Sequence, residues 1–104
     1  MNKIQQGDVI LVRVASIPAG AKPAKADRRG IVLAEGETHG HAHVMDRASA
    51  SMSMFGTDTF LEVLAPDIIK HEEHAPVTVP PGKYRVKRVQ EVDPLSQEIR
   101  AVQD

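Results

Sequence analysis

The sequence predicts an all-β protein, a small single-domain β-barrel or sandwich of short antiparallel strands. Candidate strands rich in β-branched residues recur about every 8 to 12 residues, with Gly, Pro or Asp in the turns between them. No segment shows the sustained apolar period of a long amphipathic helix. Because 104 residues provide for one hydrophobic core, we expect residues 1–104 to form one domain.

The first half of the chain contains three candidate strands and one loop. DVILVRV at 8–14 opens after a glycine and closes before a proline, which predicts the first strand. Residues 18–30 contain two prolines, two glycines and four Lys or Arg residues, so we expect a basic loop. GIVLAEG at 30–36 and ETHGHAHVM at 37–45 predict the next two strands.

The second half predicts further strands in the same style. SMSMFG at 51–56 and TFLEVLA at 59–65 are two strand candidates, whereas DIIKHEEH at 67–74 fits either a helical turn or an extended segment. A short strand within APVTV, a Pro-Pro-Gly turn and a long strand over 83–92 follow. Residues 95–104 are expected to be a polar tail.

Composition narrows the function classes. The formal net charge of −1 disfavours a protein whose whole surface binds nucleic acid or anionic membrane. Since the chain contains no cysteine, a metal would need nitrogen and oxygen ligands. No segment resembles a secretory signal or the ~20 apolar residues of a membrane span, so we expect a cytoplasmic protein without membrane contact. Only 3% of residues are aromatic, and a homo-oligomer is expected to supplement the thin core.

All five histidines lie in two clusters. In an extended chain His39, His41 and His43 share one face, with neighbouring rings about 7 Å apart, so two of them can converge on one ion. His71 and His74, with Glu72, offer further ligands from the second cluster. We therefore predict one shared histidine site.

Two mechanisms for this site remain open. One divalent transition metal (Zn, Mn or Ni), bound by His39, His41, His43 and His74, would lower the pKa of a water ligand to about 7. Without a metal, imidazoles on the two segments would act as acid and base. The predicted catalytic set consists of His41, His43, His71, His74, Glu72 and Tyr84.

The last long strand carries the residues expected to bind substrate. Lys83 and Arg85 alternate with Tyr84 and Arg88 across its two faces, and cationic side chains favour phosphate or carboxylate. We predict that Lys83, Arg85 and Arg88 bind a small anionic substrate, such as a nucleotide or an RNA-derived phosphodiester. The predicted activity is hydrolysis of a phosphodiester or a similar anionic ester.

Two motifs carry a resemblance over nearly the whole chain. Gly-Glu-x-x-Gly-His-x-His occupies 36–43, and His-Glu-x-His-x-Pro at 71–76 is followed by Pro-Pro-Gly-x-Tyr at 80–84. This pattern resembles a family of small, mostly uncharacterised proteins of bacteria and their phages. The resemblance implies that the two clusters form one site, but it implies no established activity.

Two better-known families are similar in part. His41 and His43 after Gly36 look like the start of the cupin metal motif, although neither the cupin glutamate nor a second histidine motif follows. GDVILVRV with GIVLAEG is similar to the small barrel of co-chaperonins, whose mobile loop would correspond to 18–30. That similarity implies the alternative function, a non-catalytic, metal-binding or co-chaperonin-like oligomeric barrel.

Overall fold

Ten β-strands, all paired antiparallel, form the part of the chain that this computed structural model describes, residues 3–36 and 40–89. These residues contain no α-helix, and the predicted all-β class is confirmed. The strands are β1 (Lys3–Gln6), β2 (Val9–Arg13), β3 (Lys22–Ala24), β4 (Ile31–Glu35), β5 (Ala42–Met45), β6 (Ala50–Phe55), β7 (Asp58–Val63), β8 (Asp67–Ile69), β9 (Val77–Val79) and β10 (Gly82–Arg88).

The strands form one large sheet and two ribbons. The six-stranded sheet has the order β1-β2-β10-β7-β6-β3, and the pairs β4-β5 and β8-β9 are separate two-stranded sheets. The ribbons meet where Val44 and Lys70 exchange backbone hydrogen bonds of 3.0 and 2.9 Å. Since the large sheet is open at β1 and β3, the architecture is sandwich-like and not a closed barrel.

The core lies between the large sheet and the ribbons. It is mainly aliphatic, and fully buried side chains such as Leu11 and Leu61 each contribute about 1.5–3 kcal/mol of burial free energy. Tyr84 is the largest fully buried side chain. Its hydroxyl donates to the Pro80 carbonyl at 2.7 Å and accepts from Arg13 Nη2 at 3.0 Å. Tyr84 therefore has its polar group satisfied within the fold.

Local expectations were met in most elements and missed in a few. The expected loop at 18–30 includes an edge strand, Lys22–Ala24, which pairs with β6 although Pro23 lacks an amide hydrogen. Strand β1 was not anticipated because KIQQ is polar and its burial is intermittent. The segment 67–74 is extended over Asp67–Ile69 and bends afterwards.

Three expectations lie outside the described residues. His39 belongs to the undescribed segment 37–39, and the polar tail at 95–104 lies beyond residue 89. The last strand ends at Arg88, so Val89 is not part of it, and residues 90–92 of its expected continuation lie outside the described part.

Candidate functional site

Four of the five histidines gather in one open pocket of about 310 Å³. The ring centroids of His43 and His71 are 4.4 Å apart, and those of His71 and His74 are 4.6 Å apart. His41 lies 5.7 Å from His71, and His43 lies 5.8 Å from His74. The remaining lining residues are Gly7, Asp8, Gly36 and Glu73. The structure thus brings the two sequence clusters into one site.

Strand pairing explains this convergence. His41 immediately precedes β5 and His43 lies within it, so period-two alternation directs both rings to the same side. The bridge between Val44 and Lys70 places the next residue, His71, beside that strand. The chain bends after His71, and this bend brings His74 back over the pocket.

Gln6 fixes the orientation of the buried His43 ring. The Gln6 Nε2 group donates to the carbonyls of Ile69 and Ala75 at 3.0 and 2.9 Å, so its Oε1 atom must face His43 Nδ1, 2.8 Å away. Because an amide oxygen only accepts, His43 Nδ1 carries a proton. The neutral ring therefore has its lone pair on Nε2, which is the arrangement of a ligand or a base.

A carboxylate stands beside this lone pair. His43 Nε2 lies 3.4 Å from Asp8 Oδ1, and Asp8 Oδ2 accepts from Arg88 Nη2 at 2.7 Å and Nε at 3.2 Å. Burial acts to raise the pKa of Asp8, but the hydrogen bonds and positive charge of Arg88 outweigh it and hold the pKa below its ordinary value. Asp8 is therefore ionised at neutral pH.

Burial also sets the protonation of His43. The ring is 1% exposed, and this burial is the main cause that lowers its pKa, with the neighbouring His71 as the next contribution. Asp8 opposes the shift without reversing it. His43 is thus neutral at pH 7 and presents an unprotonated Nε2 to the pocket.

His41, His71 and Glu72 form the donor set that fits a metal ion. One ligand atom from each residue lies within 4.8 Å of the other two. His41 Nδ1 is buried and has no hydrogen-bond partner among the described residues, although Glu73 Oε1 lies at an ion-pair distance of 2.8 Å. The contact is close, but it is not aligned as a hydrogen bond. A buried ring nitrogen left in this state is an uncommon feature.

Backbone contacts hold the rest of this set in place. Glu72 Oε1 accepts from the Ala42 amide at 2.9 Å, and this hydrogen bond is the main cause that lowers the pKa of Glu72. His71 Nδ1 accepts from the amides of Glu73 and His74 at 3.0 and 3.3 Å. In neutral His71 the proton therefore lies on Nε2, opposite to the tautomer of His43.

Two glycines allow the rings to lie directly against the backbone. A Cβ at Gly7, where φ is +57°, would lie 2.6 Å from His74 Nε2. A Cβ at Gly36 would lie 3.1 Å from His71 Nε2 and 3.0 Å from His41 Cβ. The turn before β2 and the end of β4 are thus shaped to the histidines.

The expected substrate-binding residues are placed differently from the histidines. Lys83 and Arg85 lie on the face of β10 opposite Tyr84 and do not line the histidine pocket. Arg85 pairs with Asp58 at 2.8 Å. Tyr84 is also absent from the pocket wall because its side chain fills the core. Arg88 reaches the edge of the site, where it pairs with Asp8.

Sequence reasoning missed Gln6, Gly7 and Asp8. Gln6 and Asp8 belong to the first hairpin, far from either histidine cluster in the chain. GDV was interpreted only as a strand opening. The available signal was a Gln-Gly-Asp turn of polar residues directly before an apolar strand, which places side chains at a sheet end.

Within the described residues, no helix is long and apolar enough to cross a membrane. A comparison with curated proteins found no match, and neither did one with solved structures. Residues 5–89 match the model of a family described as Domain of unknown function (DUF8820), which covers both histidine clusters, and the chain belongs to that family.

Proposed function

We propose that this protein is a small metal-dependent hydrolase whose centre is the histidine pocket. Its substrate class is a phosphodiester or a similar anionic ester. One divalent transition ion, such as zinc, manganese or nickel, would be held by His41, His71 and Glu72. The observation that carries the proposal is the convergence of their ligand atoms within 4.8 Å, together with the buried Nδ1 of His41, which forms no hydrogen bond with the described residues.

Three protein ligands with an open position are the usual arrangement of a hydrolytic zinc site. Such an ion supplies a water of lowered pKa and polarises the ester oxygen. The open pocket of about 310 Å³ leaves space beside the donor set for a small ester group. These features favour a hydrolytic metal site over a structural one, in which the protein supplies all four ligands of the ion.

The charges of the pocket also favour a metal. Asp8 and Glu73 line the pocket, and Glu72 belongs to the adjoining donor set. The pKa values of Asp8 and Glu72 are lowered, so both carboxylates are ionised at neutral pH. Arg88 pairs with Asp8, and no Lys or Arg among the described residues forms an ion pair with Glu72 or Glu73. An anionic substrate would meet uncompensated carboxylates unless a divalent cation lay between them.

The surrounding residues have separate roles in this proposal. His43 accepts a proton through Nε2, because Gln6 holds its other nitrogen protonated. Asp8 stabilises the imidazolium that results, at 3.4 Å from Nε2. His74 stacks on His43 with an interplanar angle of 17°, and it closes the pocket above Gly7.

A metal-free mechanism is the second candidate, and the tautomer of His43 favours it. His43 offers the lone pair of a general base, and a neighbouring histidine would act as the general acid in its doubly protonated imidazolium form. The mechanisms make opposite demands on His71. As a ligand through Nε2, His71 must give up the proton on that nitrogen, whereas as a general acid it must gain a second proton on Nδ1 and lose the hydrogen bonds from the Glu73 and His74 amides.

Hydrolysis of bis(p-nitrophenyl) phosphate and of a cyclic phosphodiester tests the proposal. We expect turnover with one of the three metals, its loss in chelator, and its loss in Glu72→Gln. Glu62→Gln is the matched control, because Glu62 lies on β7 and belongs neither to the donor set nor to the pocket lining. Turnover that persists in chelator establishes the acid-base mechanism instead. Metal binding without turnover on either ester leaves the non-catalytic metal-binding module.

A further inference from the structure

A second cavity, of about 260 Å³, lies on the other side of the ribbon junction and is rich in cations. Its charged lining consists of Arg28, Arg29, Arg47, Lys70 and a single carboxylate, Asp46. We call this the cation pocket. None of its residues lines the histidine pocket, and the mechanism above uses none of them.

Two closed turns present the arginines. In the first, Asp27 and Gly30 exchange backbone hydrogen bonds of 3.1 and 2.9 Å, which leaves Arg28 and Arg29 at its tip. In the second, the Ser49 amide donates to the Asp46 carbonyl at 3.1 Å, and Arg47 lies at the tip. The cations therefore project from two fixed turns.

The two turns are in direct contact. A Cβ at Gly30, where φ is +112°, would lie 2.4 Å from the Met45 carbonyl oxygen and 3.9 Å from the Arg47 amide nitrogen. Only glycine fits this approach. The packing of the two turns consequently fixes the spacing between the backbones of Arg28 and Arg47.

Most of these cations lack an internal partner. Arg29 is held by Asp27 and Glu35 at 2.7 and 3.0 Å. No carboxylate of the described residues lies within ion-pair distance of Arg28, Arg47 or Lys70. Three cations without an ion pair surround a concavity that contains one carboxylate, Asp46. This excess of positive charge attracts a multiply charged anion, and guanidinium groups match phosphate.

A third concavity connects the two pockets. It has a volume of about 220 Å³ and shares His71 with the histidine pocket. It also shares Val44 and Lys70 with the cation pocket. The three concavities therefore adjoin through shared lining residues along the ribbon junction, and we call them together the groove.

We propose that the cation pocket binds a second phosphate group of a substrate that carries at least two. This inference rests on the proposed hydrolysis, and it makes the substrate a flexible chain of phosphates instead of a mononucleotide. The groove directs one phosphodiester to the histidines while the next phosphate lies against Arg28, Arg47 and Lys70. A single nucleic-acid strand is such a chain and contains phosphodiesters. A polyphosphate, whose linkages are phosphoanhydrides and not esters, is the other source of linked phosphates that the test distinguishes.

Binding of a fluorescein-labelled phosphorothioate hexanucleotide, followed by fluorescence anisotropy, tests this subsite. The cleavage-resistant linkage allows the protein to be used as purified. We compare two double variants. The first is Arg47→Gln with Lys70→Gln, and the control is Lys22→Gln with Lys25→Gln, which removes the same charge from exposed positions outside the groove. The expected result is an affinity loss of about tenfold or more in the first double variant and little change in the second. Arg28→Gln, Arg47→Gln serves as the second variant if the first is poorly folded.

Competition identifies the source of the phosphate. A hexanucleotide that outcompetes inorganic tripolyphosphate indicates a nucleic-acid strand, and the reverse indicates a polyphosphate; both support the subsite. Two results would overturn the subsite. One is that polyglutamate competes as strongly as the hexanucleotide and tripolyphosphate do, and the other is that the two double variants bind with equal affinity.

The subsite and the hydrolase fail separately. If a strand binds through these cations but its phosphodiester form is not hydrolysed, the hydrolase proposal fails and the subsite stands. If a strand is hydrolysed with the same KM by both double variants, the subsite proposal fails and the hydrolase proposal stands.

Discussion

His43 Nδ1 lies 2.8 Å from Gln6 Oε1, and both side chains are buried. This contact joins the first hairpin to the histidine strand across 37 positions of sequence. It also decides which nitrogen of His43 faces the pocket. The chemistry of the site thus depends on a glutamine that belongs to neither histidine cluster.

Replacement of Gln6 by leucine is expected to lower the free energy of unfolding by about 1–3 kcal/mol, because His43 Nδ1 and the Ile69 carbonyl lose their partner. Urea unfolding measures the change. Gln5→Leu is the matched control, since Gln5 is exposed on the same strand. Equal midpoints for the two variants would refute the buried hydrogen-bond network.

Gly7→Ala tests how closely His74 packs on the first turn. Its Cβ would meet His74 Nε2 at 2.6 Å, whereas at Gly56, with a similar φ of +63°, nothing lies within 4 Å. Both alanine variants should lose about 1–2 kcal/mol through the left-handed backbone. Only Gly7→Ala should move the His74 ring resonances in an NMR spectrum and reduce turnover. Unchanged His74 resonances would be inconsistent with the packing described.

His43 should make stability depend on pH in the metal-free protein. Burial holds its folded pKa below the ordinary value of 6.5, so the unfolded chain binds more protons as the pH falls through that value. The contribution of His43 is therefore complete above about pH 6.5 and is lost toward its folded pKa. Urea midpoints from pH 7.5 to 5 should fall more steeply in wild type than in His43→Gln. Parallel curves would contradict the shift.

Tyr84→Phe separates structure from catalysis. The hydroxyl bonds Pro80 and Arg13 within the fold, so its loss should cost about 1 kcal/mol of stability. The kcat for an activated phosphodiester should remain within about twofold of wild type, since Tyr84 does not line the pocket. A large loss of kcat with normal stability would support the catalytic role that the sequence predicts for Tyr84.

The sequence predicts the fold class well because alternating β-branched runs and turn residues are local signals. It also indicates a shared histidine site, since clustering in two segments is visible without a structure. Edge strands such as β3 escape prediction because tertiary pairing with β6 overrides a poor local propensity.

The partners of the histidines could not be predicted for a different reason. Gln6 and Asp8 reach the site through the register of β1 and β2, and register depends on long-range packing. Lys83 and Arg85 had the right alternation, but periodicity alone does not reveal which face of a strand meets the site. The donor set likewise gains His71 and Glu72 from the bend after β8, a feature that eight residues of sequence leave undecided.

The most direct test is elemental analysis of tag-free protein purified without chelator and dialysed against zinc, manganese and nickel in turn. Wild type, His41→Ala, Glu72→Gln and the control Glu62→Gln are compared, with folding checked by circular dichroism. The account predicts about one transition metal ion per chain in wild type and in Glu62→Gln, and a marked loss in the two ligand variants. No bound ion with any of the three metals, or the same content in all four proteins, would contradict it.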